Sequence, residues 1–389
     1  MGQGAPYRGL FRLPGVTAQA VLGFLAQLTQ QVAPVGAVLV VQSETGSLVL
    51  AGLVAAAFSV GAGLARPVQG RLMDRRGPRP VLVATAFGHV AALVGLVLCA
   101  TSGLPGWVIT ALAWTAGACL PPISVSMRIE WGRRVSADGR TAAYSLVYLV
   151  QEIALLVGPL LFGLAIALAS ASLALGVVAV AAGLGTLAFA RALRVGESSP
   201  ARDRGRVFAD RMMIVLLLVV FLLGGTIGAL QVGLPALAAA HGSPATAGLL
   251  VAALSLGGIA GAAGYGARSW GSAPAVRLVV IMLVLGLVLA PPALIGSLPA
   301  FWAVLFAGGL VLNPALTTGS LLVDELAPAA QAEAFGWVST ALGVGAAAGA
   351  GLAGVAGQHF GVSAPFPVAA AFPLAGALLG LVLVRRARS

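Results

Sequence analysis

The sequence predicts an all-α polytopic membrane protein, with twelve transmembrane helices arranged as two six-helix pseudo-symmetric bundles. Three observations lead there. Hydrophobic residues make up 59% of the 389 residues and charged ones only 8%, whereas a water-facing surface is roughly 25–35% charged. Apolar runs follow one another at about 20 residues each, the length that crosses about 30 Å of hydrocarbon. The positive charge is gathered in every second connection between those runs. Twelve spans take up most of the chain, so no separate soluble domain is expected.

The first span, 14–41, follows Arg8 and Arg12 and has no small-residue cleavage site behind a short apolar core, so it reads as an uncleaved helix. The second, 46–67, stops ahead of an arginine-rich stretch, and the third, 80–100, starts at Pro80. The fourth, 105–127, lies between Pro105 and Arg128; the fifth, 142–168, follows Arg140; the sixth, 172–193, ends at Arg194. A polar connection precedes the seventh, 211–238, after which come 246–266, 275–296, 299–323, 333–356 and 364–384, the last closed by Arg385, Arg386 and Arg388.

All 22 basic residues are arginine, which excludes a Schiff-base or Walker lysine. They cluster before span one, after spans two, four, six and eight, and at the C-terminus; the odd-numbered connections hold no Arg and a single acid, Glu44. Cytoplasmic loops collect positive charge, so a multi-pass protein of the cell (inner) membrane is expected, with both termini cytoplasmic. The net charge of +11 then reports orientation in the lipid bilayer and not a nucleic-acid partner. Cys99 and Cys119 fall inside apolar runs, and His89, His241 and His359 stand far apart. No metal site, cofactor or catalytic residue is therefore expected, and the protein is not read as an enzyme.

The polar stretch 195–210 reads as a cytoplasmic linker between an N-terminal bundle, 1–194, and a C-terminal bundle, 211–389. The halves repeat. Gly70, Gly77 and Pro80 recur at one fixed spacing as Gly264, Gly271 and Pro274. Ala143, Tyr144, Gly158 and Gly163 recur at a nearly equal spacing as Ala334, Phe335, Gly349 and Gly354.

Between spans two and three stands Gly70-Arg71-Leu72-Met73-Asp74-Arg75-Arg76-Gly77-Pro78-Arg79-Pro80. A Gly ending a helix and a second Gly beyond Asp74 would allow a tight reversal. The stretch resembles the signature loop of the major facilitator superfamily, G-x-L-x-D-R-x-G-R-R, with Pro78 departing from it. The resemblance implies a conformational latch built from Gly70, Asp74, Arg75 and Gly77, with Asp74 facing the start of span eleven near Ala332 to Phe335 and Arg128 at the foot of span four. A charge at a helix N-terminus is worth about 0.3–1 kcal/mol, enough to bias a two-state equilibrium. The second-half copy, Gly264 to Gly271, has Arg268 in place of the acid.

In span five, Gly158-Pro159 and Gly163 resemble the G-x-x-x-G-P-x-x-G-G pattern of drug/proton antiporter-type exporters in that superfamily, with Ala154 and Phe162 replacing two glycines. Pro159 removes one helix hydrogen bond, so a helix bend pressed on a neighbour is expected. The antiporter arginine inside span four is missing; Ala113 to Gly117 stand there. Glu152 lies about 18 Å beyond Arg140 along the helix, near the middle of the hydrocarbon. A carboxyl there can take up and release a proton as a cavity opens to either side. Gln27, Gln30 and Gln31 in span one, Gln231 in span seven and Asn313 in span ten belong to helices that line the substrate cavity in the superfamily. His89 reads as a helix-packing residue, Arg128 and Glu130 as interfacial charges, and Trp107, Trp302 and Tyr7 as interface anchors.

The resemblance implies a monomeric secondary active transporter working by alternating access. The expected activity is proton-coupled export of an amphipathic drug or metabolite, neutral or cationic rather than anionic. The alternatives are an importer or facilitator of a neutral solute, and a non-transporting membrane sensor. The topology is tested by single cysteines in a background lacking Cys99 and Cys119. Those at Ser170 and Ser363 should react with an impermeant maleimide in intact cells, and those at Ser136 and Ser272 only after lysis; the reverse pattern overturns the orientation.

Overall fold

The computed structural model describes residues 5–194, 207–240, 246–290 and 298–388. The described helices are α1 (Ala5–Phe11), α2 (Val16–Thr45), α3 (Leu48–Arg76), α4 (Pro78–Thr101), α5 (Gly106–Ala118), α6 (Ile123–Arg134), α7 (Ala137–Leu168), α8 (Ala171–Ala192), α9 (Met212–Ala240), α10 (Thr246–Gly266), α11 (Pro274–Leu289), α12 (Leu298–Leu326), α13 (Gln331–Phe360) and α14 (Pro365–Arg388). With α5 and α6 taken as one span, eleven helices are long and apolar enough to cross a membrane. The shorter apolar α11 is the twelfth. Of the expected linker 195–210, residues 195–206 lie outside the described residues, and Val207–Ala209 form one 3₁₀ turn.

Two spans depart from the sequence expectation in ways that matter for the site. Span two does not stop at residue 67: α3 continues to Arg76. Gly70 is buried within that helix and not at its end. The reversal is made by Gly77 alone, with φ 80 and its N–H on the Met73 carbonyl, and Pro78 opens α4 immediately after it. Pro suits a first helical position because that N–H has no partner there anyway. Span four is not continuous: it breaks between α5 and α6 at Pro121-Pro122, two residues that cannot donate to the helix ladder. The Tyr7 hydroxyl donates to the Ala262 carbonyl at 3.0 Å and holds α1 against α10.

The chain forms two compact units. One comprises Phe11–Arg134 and Ile153–Arg204, the other Met1–Leu10, Val135–Glu152 and Gly205–Ser389. In the first, α2, α3, α4, α5 and α8 enclose a core that includes Val40, Val54, Leu96, Ile109 and Leu175. In the second, α9 packs on α13 and α14, α10 on α12, and α11 on α12 and α14.

Helices in lipid gain little from burying apolar surface against each other, so close van der Waals approach has to hold them. Glycine supplies it at matching pairs. A Cβ on Gly61 or Gly117 would sit 2.2 Å from the Trp114 carbonyl oxygen or 2.0 Å from that of Phe58, so α3 and α5 touch backbone to backbone. The repeat-related pair, α10 and α12, meets the same way at Gly257 and Gly309, whose Cβ positions fall 2.0 Å from the Phe306 oxygen and 2.1 Å from the Leu254 oxygen. Gly309→Val must push α10 and α12 apart and should destabilise the protein by about 1–3 kcal/mol. Gly264→Ala, which meets nothing within 4 Å, should stay within about 0.5 kcal/mol. Unfolding of the purified protein in mixed micelles by SDS titration measures both.

Candidate functional site

The break in span four releases carbonyls into the interior of the first unit, and side chains of three neighbouring helices take them up. From α2, Gln30 Nε2 donates to the Pro121 carbonyl at 2.7 Å. From α3, Gln69 Nε2 donates to Ala118 at 2.8 Å and Leu120 at 3.3 Å. From α4, the fully buried His89 sets Nδ1 2.7 Å from the Ala116 carbonyl. A carbonyl only accepts, so Nδ1 carries the proton there, as expected of a packing histidine. Gln27 Nε2 lies 3.3 Å from Met127 Sδ on α6.

Glu130, further along α6, is fully buried and not an interfacial charge. Its Oε1 accepts from Gln19 Nε2 at 3.2 Å, Arg134 at 3.3 Å and the Arg194 backbone N–H at 3.1 Å. Trp131 Nε1 closes this cluster on Gln19 Oε1 at 2.8 Å.

The second unit holds Glu152. Asn313 Nδ2, from α12, donates to its Oε1 at 3.3 Å, and Ser255 of α10 lies beside the same carboxyl. Oε2 is buried and has no hydrogen-bond partner. Gly258 leaves the space this contact needs: a Cβ there would lie 2.8 Å from Asn313 Nδ2 and 3.0 Å from Glu152 Oε1. Two residues assigned separately from the sequence, one to proton coupling and one to the cavity, thus form one group.

Along the same α7 segment, toward its start, lies a second cluster, centred on Asp324. This buried carboxylate at the end of α12 accepts from the Tyr144 hydroxyl and, at 2.9 Å, from Gln331 Nε2 of α13. Arg140 Nη1 stands 3.5 Å from it. Tyr144 also packs edge-on against Phe335, and Tyr148 and Ser320 share a hydroxyl contact at 3.0 Å. A cavity of about 210 Å³ adjoins the cluster, lined by Arg140, Asp324, Glu325, Arg277 and Trp270 among others. Sequence reading passed over Asp324; the available signal was an acid closing an apolar run on the arginine-rich side. The second-half loop copy is built as a stack, with Arg268 and Arg277 over the Trp270 ring and Trp270 stacked on Tyr265.

The other sequence-assigned residues are distributed as follows. Gly70, Asp74, Arg75, Gly77 and Arg128 all belong to the first unit. Asp74 is half-buried in the last turns of α3, Arg75 is exposed, and Arg128 is buried in α6. At Gly158 a Cβ would lie 3.1 Å from the Leu28 carbonyl oxygen and 3.7 Å from Gln31 Cβ, so α7 presses on α2 there. The helix runs on through Pro159, and Gly163 faces open space. Gln31 is half-buried and Gln231 exposed.

Helices of this length and apolarity, eleven long and one short, define a multi-pass membrane protein. Residues 20–329 match the Major Facilitator Superfamily family model, and the chain belongs to that superfamily. Among solved structures it is similar to the human organic anion transporter MFSD10 (TETRAN), with TM-score 0.76 and 18% identity over 94% of this chain and 99% of that one. It is also similar to a bacterial homologue of the iron transporter ferroportin in an outward-facing state, with TM-score 0.71 and 18% identity over 96% and 99%. The E. coli fucose:proton symporter FucP matches with TM-score 0.71 and 12% identity over 96% and 98%. No curated protein matches the chain by sequence. The family and the fold are those of secondary transporters.

Asp324→Ala leaves Tyr144 and Gln331 without their acceptor and Arg140 without its counter-charge. A loss of about 1–3 kcal/mol is expected for such orphaned groups, read as a lower melting temperature in detergent. Asp324→Asn, which still accepts, should lose less.

Proposed function

We propose that the protein is a proton-coupled exporter of an amphipathic small molecule, resident in the cell (inner) membrane with both termini cytoplasmic and acting as a monomer by alternating access. The observation that carries this reading is the Glu152 carboxyl. It stands mid-helix in an apolar span, tethered at Oε1 by Asn313 and bare at the buried Oε2. An ionisable group at membrane depth is costly and marks ion or substrate pathways, and Oε2 is the atom free to take the proton. FucP, which shares the fold, is a fucose:proton symporter, so the fold accommodates proton coupling.

In this reading Asp74, with Gly70, Arg75, Gly77 and Arg128, biases the conformational equilibrium, while Gly158, Pro159 and Gly163 shape α7. Gln31, Gln231 and Asn313 offer amides to the substrate; Gln27 and Gln30, whose donors hold α6 and the Pro121 carbonyl, shape the wall behind them. In this reading the two repeat-related halves, 1–194 and 211–389, move against each other during transport.

Glu152→Gln imitates the protonated state. In inverted vesicles screened with fluorescent amphipathic dyes, accumulation driven by a proton gradient should vanish, while downhill dye exchange survives. Dye-induced proton release by the purified protein should vanish with it. Proton release that persists in the variant moves the coupling site elsewhere.

A further inference from the structure

Because α3 runs on to Arg76, Arg66 is not part of a connection. It lies inside the helix, about 15 Å before its end. The exposed apolar stripe of α3, formed by Leu53, Val60, Leu64 and Val68, marks the lipid side. At about 100° per residue, Arg66 projects from the opposite side. Ser59, Ala62 and Gly63 on that side retain exposure, while Gly70 and Met73 below are buried. A Cβ on Gly63, one turn above Arg66, would meet nothing within 4 Å. The face is therefore open at Ser59 and closed below Arg66, with the guanidinium at its floor.

No acid answers that charge. Among the described residues Arg66 makes no hydrogen bond or ion pair. Arg128, which has partners of its own, and His89 lie near enough to act on it, and the Arg128 charge repels it. Buried Glu130 is already engaged by Gln19, Arg134 and Arg194. Arg66 is half-buried; an unpaired cation on a membrane helix is still costly, and a guanidinium cannot shed its proton to escape the cost. A cationic substrate at this floor would meet the like charge of Arg66. A carboxylate, sulfonate or phosphate would supply the missing one and could accept two parallel N–H bonds from the guanidinium fork.

We propose that Arg66 is the anchoring cation for an acidic group on the transported molecule, whose class is therefore an amphipathic organic anion. This rests on the transporter reading above and replaces the neutral or cationic substrate expected from the sequence. The test uses the full chain in lipid nanodiscs and two dyes with a common xanthene skeleton, anionic fluorescein and cationic rhodamine 123, with binding read by fluorescence polarisation. Fluorescein should bind more tightly than rhodamine 123. Arg66→Gln should weaken it at least tenfold, and Arg66→Lys, which keeps the charge, should recover most of the loss. Gly63→Leu, which fills the space beside the guanidinium and leaves the charge in place, should also weaken fluorescein and serves if Arg66→Gln does not fold. Equal or tighter binding of rhodamine 123, no binding of either dye, or fluorescein affinity indifferent to Arg66 and Gly63 overturns the anion site. Arg66-dependent fluorescein binding without flux of either dye into proteoliposomes overturns the transporter reading and leaves the anion site standing.

Discussion

A carbonyl set loose inside hydrocarbon must find a donor on the protein, because no water is there to take it. The break at Pro121-Pro122 imposes that demand on the first unit, and much of its polar interior answers it. Gln30, Gln69 and His89 come from three different helices and converge on four residues' carbonyls. Each bond fixes the depth and rotation of its parent helix relative to span four. Arg66 and Gln69 stand three residues apart and so share a side of α3. Turning Gln69 toward the break therefore also sets where the guanidinium one turn away points. The backbone defect and the position of that charge are tied to the same rotation of α3.

The second unit answers a different demand, that of tight packing without a hydrophobic drive. Gly257 and Gly309 bring α10 and α12 into backbone contact, and at that separation Asn313 of α12 reaches the carboxyl of Glu152 beside Ser255 of α10. Gly258 completes the arrangement by withholding a side chain where the amide and carboxyl meet. The polar group and the glycine seam are two aspects of a single interhelical distance.

The number of spans and their apolar character were legible in the sequence because each depends on hydropathy summed over many residues. What was not legible depended on single partners. Gly70 reads as a helix end, yet glycine is common inside membrane helices, and packing carried α3 past it. Pro121-Pro122 was a visible signal of a break, but the carbonyl acceptors it created have no sequence signature, so Gln30 read as a cavity residue and not as a strut. Asn313 and Glu152 lie far apart in the chain, and nothing in either segment announces their contact. Asp324 escaped because attention to basic residues in cytoplasmic connections ignores the acids that can answer them; Arg140 belonged to both patterns.

A fixed positive charge on a membrane-spanning helix is also an electrical element. A unit charge crossing the whole membrane field exchanges about 2.3 kcal/mol per 100 mV, and Arg66 carries a charge that no accessible pH removes. Whatever part of that field α3 traverses when the carrier changes state, an empty Arg66 feels the membrane voltage, and one neutralised by a bound anion does not. The voltage therefore acts on the unloaded return step and leaves the loaded step nearly untouched at this site, so that a resting potential would set how quickly the carrier resets between cycles.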